Sequence, residues 1–191
     1  MPYPGPRPIL ESRIASRHHG QNERGVLRNT IEVILQPPEA IDGFELNRLI
    51  ELSPPLDPNS VYCNLLQCTH FKDTCICAKS EGQLVGFVSG YLQPAHPNTL
   101  FVWQVVVAEV ARGKGLAGRM LMQLLQQPAC SHVDFVETTI TPENKASQAL
   151  FTKLAERLST DIRVEPGFDK TEHFHGRHES EVLWRIGPIP K

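Results

Sequence analysis

Val105-Val106-Val107-Ala108-Glu109-Val110-Ala111-Arg112-Gly113-Lys114-Gly115-Leu116-Ala117-Gly118 runs from a β-branched strand, through a glycine-rich turn, into a helix. The valines favour a pleated strand, the glycines a tight turn, and Leu116, Met120, Leu121 and Leu124 then recur on one helical stripe. A turn that opens a helix aims several backbone N–H groups at one point. There the positive end of the helix dipole adds to their pull on an anion. Arg112 and Lys114 add positive charge beside glycines that let backbone approach a ligand closely. The stretch therefore predicts a site for a phosphate-bearing cofactor.

Gly113-x-Gly115-x-x-Gly118 also has the glycine spacing of a dinucleotide fingerprint, and Asp134 or Glu137 follows at roughly the twenty-residue distance that fingerprint needs. Three features oppose that reading. Five residues, Ala108 to Arg112, separate the strand from the first glycine; antiparallel-looking strands precede it; and fewer than eighty residues remain for the rest of a doubly wound sheet. A Walker motif is excluded because no Lys-Ser/Thr closes the loop.

Outward from this segment, DTCICAKS (73–80), the turn Glu81-Gly82 and QLVGFVSGYL (83–92) form a hairpin pattern, and LFVWQVVVA follows the turn-rich QPAHPN. Upstream, IEVIL near Thr30 reads as a strand, residues 39–51 carry apolar residues at helical spacing, and Asn59 or Ser60 can cap a short helix with Tyr62, Leu65 and Leu66. Downstream, HVDFVETTI reads as a strand, and TPENKASQALFTKLAERL as a helix with Pro142 in its first turn. DIRVEPG and EVLWRIGP read as two closing strands. The predicted order is β-α-α-β-β-β-α-β-α-β-β, a mixed α/β sheet over 29–187. It is preceded by a proline-rich arm (1–28) and followed by a short tail (188–191).

The 191 residues carry 19 Lys+Arg against 21 Asp+Glu, a net charge of −2, which disfavours a dedicated nucleic-acid binder. No apolar run approaches the ~20 residues of a membrane span, and proline and arginine interrupt the N-terminus where a signal peptide needs an apolar stretch. A cytoplasmic enzyme is expected. The five cysteines (63, 68, 75, 77 and 130) lack paired zinc spacing and read as reduced, mostly buried thiols. His173, His175 and His178 read as a polar loop, so no metal is expected.

Arg112, Gly115 and Ala117 also satisfy Arg-x-x-Gly-x-Gly/Ala, which resembles the acetyl-CoA pyrophosphate loop of the GCN5-related N-acetyltransferase superfamily, and the element order is similar throughout 29–187. The resemblance implies a bulged strand that splays from its neighbour, with cofactor pantetheine pairing along Val105, Val106 and Val107. It further implies phosphate contacts from Arg112, Gly113, Lys114, Gly115, Leu116, Ala117 and Gly118, and cofactor contacts from Asn144, Ser147 and Phe151 on the later helix. Many relatives have a proton-donating tyrosine where Phe151 stands. PLDPNSVYCNLL (55–66), GFVSGY (86–91), PNTLFVWQVVV (97–107), TPENKASQALF and EVLWRIGP are similar to the diaminobutyrate acetyltransferases of ectoine biosynthesis. That family moves acetyl from acetyl-CoA to the γ-amino group of L-2,4-diaminobutyrate and is typically homodimeric.

The amine of such a substrate arrives protonated and must lose a proton before attack. Glu137, in the strand beside the splay, and Glu109, at the end of the preceding strand, are the candidate bases, and a backbone N–H at Val105 or Val106 is the candidate oxyanion donor. Asp57, Trp103, His178 and Glu181 carry over from the family as substrate contacts, with Asn59, Ser60 and Tyr62 as further candidates. Carboxylates suit ammonium groups, and an indole face suits a cation. Two other readings share the cofactor site: an N-acetyltransferase of another small amine or polyamine, and a non-catalytic acyl-CoA-binding module.

Overall fold

The computed structural model describes residues 32–191; the arm read over 1–28 and the first residues of the opening strand lie outside the described residues. The elements are β1 (Ile34–Gln36), α1 (Asp42–Glu51), α2 (Val61–Gln67), β2 (Ile76–Ser80), β3 (Gln83–Gln93), β4 (His96–Val107), α3 (Leu116–Leu125), β5 (Phe135–Ile140), α4 (Lys145–Leu158), β6 (Ile162–Phe168) and β7 (Glu181–Ile186). The predicted order is borne out. The strands form one seven-stranded sheet ordered β1-β2-β3-β4-β5-β7-β6, in which β4 and β5 are the parallel pair.

Several boundaries differ from expectation. Only Pro94 and Ala95 of the turn-rich QPAHPN make the turn, and β4 begins at His96, paired with Gln93. α3 begins at Leu116, directly after the glycine turn, with Gly115 as its N-cap. Pro142 precedes α4: Asn144 is the N-cap, accepting the Ser147 N–H at 3.0 Å, so the proline falls two residues short of the helix. Residues 188–191 are pinned rather than trailing, since the Ile189 N–H donates to the Asp134 carbonyl at 2.8 Å and the Thr160 hydroxyl to the Pro188 carbonyl at 2.8 Å.

Helices cover both faces of the sheet. Leu116, Met120, Leu121 and Leu124 of α3, with Phe151 and Leu154 of α4, pack on Val88, Leu100, Val102, Val136, Ile140 and Ile186. On the other face Leu46, Leu49 and Ile50 of α1 pack on Cys75, Cys77, Phe87 and Val106. Burial pushes the Cys68 and Cys75 thiols up to about 12, so these cysteines are core thiols and not thiolates.

One inserted residue shapes the centre. β3 and β4 pair Ser89 with Gln104 and then Gly90 with Val102, which leaves Trp103 as the extra residue of a β-bulge. The insertion resets the alternation. Leu100 and Val102 before it, and Val105 and Val107 after it, all turn to the α3–α4 face, while Val106 joins the α1 face. Gly90 opposite the bulge has no room for a side chain, since a Cβ there would lie 2.8 Å from the Phe101 carbonyl oxygen.

The parallel pairing of β4 with β5 spans only Thr99–Phe135, Leu100–Val136 and Phe101–Glu137, after which the strands part. At this fork the buried Glu137 carboxylate pairs with Arg185 of β7 and accepts from Gln93 Nε2 of β3, while the Arg185 guanidinium lies 3.9 Å over the Phe135 ring. Glu137→Gln is expected to lower stability by about 2 kcal/mol, because Arg185 keeps its charge without its partner but remains partly open to water. The double variant E137Q/R185M is expected to cost less than E137Q alone, read from urea midpoints at unchanged slope.

Candidate active site

The parting of β4 from β5 opens a cleft between the strand ends and the helices above them. Because β4 pairs with β3 through Val107 but with β5 only to Phe101, alternate backbone groups of Val102–Val107 face the gap without a strand partner. The cleft continues into a cavity of about 350 Å³ lined by Val107, the loop Ala111–Gly113, Gly115–Gly118 and one face of α4.

Gly115 holds φ +70° at the α3 N-cap, a left-handed conformation that glycine adopts without strain. Among the described residues the N–H groups of Gly113 through Gly118 have no backbone acceptor, and Arg119 is the first to close a helical bond, to Gly115. These donors and the dipole of a ten-residue helix suit a diphosphate. Arg112 Nε donates to the Val107 carbonyl at 3.0 Å and Lys114 Nζ to the Val110 carbonyl at 3.0 Å, so both cations brace the loop they were expected to charge.

The opposite end of the fork collects acidic and aromatic groups. Ser60 caps α2 by accepting the Cys63 N–H at 3.1 Å, which fixes the exit of the preceding loop. In that loop, Gln104 Nε2 donates to the Asp57 carbonyl at 3.1 Å, and Asn59 Nδ2 donates to Gln104 Oε1 at 3.1 Å. Asp57 Oδ2 meets His178 Nε2 at 3.5 Å. His178 belongs to the β6–β7 loop, which closes on itself: Asp169 Oδ1 accepts from Thr171 and Glu172, Lys170 pairs with Glu179, Phe168 meets His173 and Phe174 edge-on, and Phe174 packs on His178.

The charges here are coupled. His178 Nδ1–H donates to the Glu179 carbonyl at 2.8 Å, and that bond, with Asp57 and Glu181 nearby, raises the imidazole above its usual range. Burial raises the Glu181 carboxyl, opposed by a hydrogen bond from Thr139 and by His178.

Asp57 and Asn59 thus come together with His178 and Glu181 from two chain segments, and a third, β4, brings Gln104 with the half-exposed Trp103 next to it in the chain. Tyr62 is exposed in the first turn of α2, beyond the loop. Glu109 is exposed in a single turn at the foot of the glycine loop, and Glu137 has both carboxylate oxygens engaged at the fork. Asn144 and Ser147 form the α4 cap, and Phe151 is buried in the core. Ala146, Ala149, Leu150, Lys153 and Arg157, which line the cavity from α4, were not predicted; their i, i+3, i+4, i+7, i+11 spacing was the available signal. Thr139, Gln104 and Arg185 gave no signal, because their roles depend on pairing between distant segments.

Residues 44–155 match the model of the acetyltransferase (GNAT) family. The L-2,4-diaminobutyric acid acetyltransferase of Methylotuvimicrobium alcaliphilum is 54% identical over 157 residues, 82% of this chain and 91% of that protein. The enzyme of that name from Vibrio parahaemolyticus is 47% identical over 153 residues, 80% of this chain and 84% of its own. The solved diaminobutyrate acetyltransferase EctA from Paenibacillus lautus, in complex with its substrate L-2,4-diaminobutyric acid and coenzyme A, superposes with a TM-score of 0.81 at 44% identity, covering 84% of this chain and 98% of that one. The chain belongs to the acetyltransferase (GNAT) family, in the group formed by the diaminobutyrate acetyltransferases.

Proposed function

We propose that this protein transfers acetyl from acetyl-CoA to the γ-amino group of L-2,4-diaminobutyrate, giving N4-acetyl-L-2,4-diaminobutyrate for ectoine biosynthesis. The observation that carries the reading is the meeting of Asp57, His178 and Glu181 at one end of a strand fork whose other end opens on an unpaired run of backbone N–H donors. The Paenibacillus enzyme, solved with both its substrate and coenzyme A, supports a site that takes both compounds.

The cofactor supplies an activated acetyl thioester whose sulfur departs as thiolate. Gly113–Gly118 hold its diphosphate, Lys153 and Arg157 add charge along the cavity, and Val105–Val107 meet its pantetheine arm. A backbone N–H of Val105 or Val106 facing the gap stabilises charge on the thioester oxygen. Asp57 and Trp103 hold the substrate's ammonium groups, by a charge-assisted hydrogen bond and by the indole face. Asn59 acts through its bond to Gln104, and Tyr62 stands beyond the loop.

Glu181 is the proton acceptor this arrangement favours. Its carboxyl is raised toward the range in which a base is effective, and Glu137 is occupied by Arg185. Glu109 stands on the cofactor side of the fork. No side-chain acid is assigned to the leaving thiolate, since Phe151 offers no proton. The exposed edge strand β6, with Val164 and Phe168 open to solvent, supports a homodimer, and four buried free cysteines support a reducing, cytoplasmic setting.

Initial rates of thiol release with L-2,4-diaminobutyrate, ornithine, lysine and putrescine test the reading. Diaminobutyrate is expected to be the best acceptor with acetyl on N4 by NMR, and cofactor binding without turnover on any amine would contradict it. Glu181→Gln is expected to lower kcat about a hundredfold, and Asp57→Asn to raise KM for diaminobutyrate about tenfold with KM for acetyl-CoA unchanged.

Acidification should protonate Glu181 at a pH above the usual carboxylate range, so kcat/KM falls early on the acid side. As pH rises through the raised His178 value, the imidazolium loses its charge and frees Asp57 and Glu181 for ammonium, so KM for diaminobutyrate falls across that window. Asp57→Asn should move that window to lower pH. The double variant K153Q/R157Q is expected to weaken CoA about tenfold at low salt in calorimetry, with a smaller difference at 0.5 M salt.

A further inference from the structure

Gln104 of β4 grips the loop at residues 57–59 at two points. The bulge places it: Trp103 takes the extra position, Gln104 pairs with Ser89, and its side chain leaves the strand toward residues 57–59. Its Nε2 donates to the Asp57 carbonyl and its Oε1 accepts from Asn59 Nδ2, both at 3.1 Å. This polarity admits one amide orientation, because a flip would set Oε1 against the Asp57 carbonyl and Nε2 against the Asn59 amide nitrogen. Asp57 to Asn59 belong to no helix or strand, and among the described residues their backbone makes no other hydrogen bond outside regular structure. A segment without its own ladder keeps a fixed shape only where side chains hold it.

We infer that Gln104 is a positioning residue for acceptor recognition, holding the Asp57 carboxylate at the distance from His178 and Trp103 that a diammonium substrate requires. Asp57 is largely exposed, at 80% of its side chain, so packing does not set its place. The tie at its carbonyl fixes the main chain from which the carboxylate reaches His178. Linkage runs from the bulge, through one amide, to a carboxylate 47 residues earlier in the chain. One strand feature thereby sets both the indole and the acid that face the substrate. The inference rests on the reading of Asp57 as a substrate contact, and it adds a residue that neither touches substrate nor takes a proton.

The test is Gln104→Met, which keeps length and loses both hydrogen bonds, compared with D57N, N59A and the double variant N59A/Q104M. Q104M is expected to raise KM for diaminobutyrate about tenfold, and its calorimetric Kd with CoA bound by the same factor. KM for acetyl-CoA and the melting temperature should stay near wild type. Because the two residues act as one clamp, N59A/Q104M should bind diaminobutyrate no more weakly than Q104M alone. Equal losses for both substrates together with a lower melting temperature would overturn the inference and make Gln104 a structural residue. So would Q104M with unchanged diaminobutyrate affinity while D57N loses it. If D57N itself leaves diaminobutyrate affinity unchanged, the reading of Asp57 fails, and the inference goes with it.

Discussion

The Glu137 carboxylate sits where β4 and β5 part, held by Arg185 on one side and Gln93 on the other. A charge this deeply buried persists only when paired, so the fork has a fixed base on which β3, β5 and β7 converge. Beyond it β4 follows β3, β5 follows β7, and the space between them is available to a ligand. Everything the protein does with acetyl-CoA and its acceptor is arranged along that opening. A sheet continuously paired from β4 to β5 would satisfy its own backbone and leave nothing for pantetheine to meet.

The two ends of the opening have opposite electrostatics, which the near-neutral total conceals. At one end the N–H groups of residues 113–118, without a backbone acceptor among the described residues, stand beside Lys153 and Arg157, and in the proposed function they serve the phosphates. At the other, Asp57 and Glu181 gather around His178, whose charge acts on both, and in the proposed function the two acids receive ammonium groups. In the proposed function this separation keeps a polyanionic cofactor away from the acids and a cationic acceptor away from the basic cavity.

Local pattern in the sequence carried most of the fold. The strand–turn–helix at 105–118, the Glu81-Gly82 hairpin and the apolar stripe of α3 are decided by residues close in the chain, and each formed within a few positions of expectation. Boundaries slipped where capping decided them, as at Asn144, whose side chain begins α4 after Pro142 instead of around it. The glycine loop was legible because a left-handed turn into a helix is backbone geometry written in glycines. Asp57, His178 and Glu181 were reached through a family likeness, since nothing local signals that residues more than a hundred apart meet. Glu137 shows the limit of reading type and strand position alone: a carboxylate beside the splay suits a base, and only the cross-sheet contacts with Arg185 and Gln93 give it a different occupation. Gln104 escaped for the same reason, because its partners are set by a bulge and a loop and not by spacing.

Amide chemical shifts of the ¹⁵N-labelled protein during titration with coenzyme A measure directly whether the fork is the cofactor groove. The largest changes are predicted at Val105, Val106 and Gly113–Gly118, with smaller ones along the first turns of α4 and none at β1 and β2. Changes concentrated instead at the separate hollow of Thr152, Ser159, Asp161 and Pro188, with the glycine-loop amides unmoved, would contradict it.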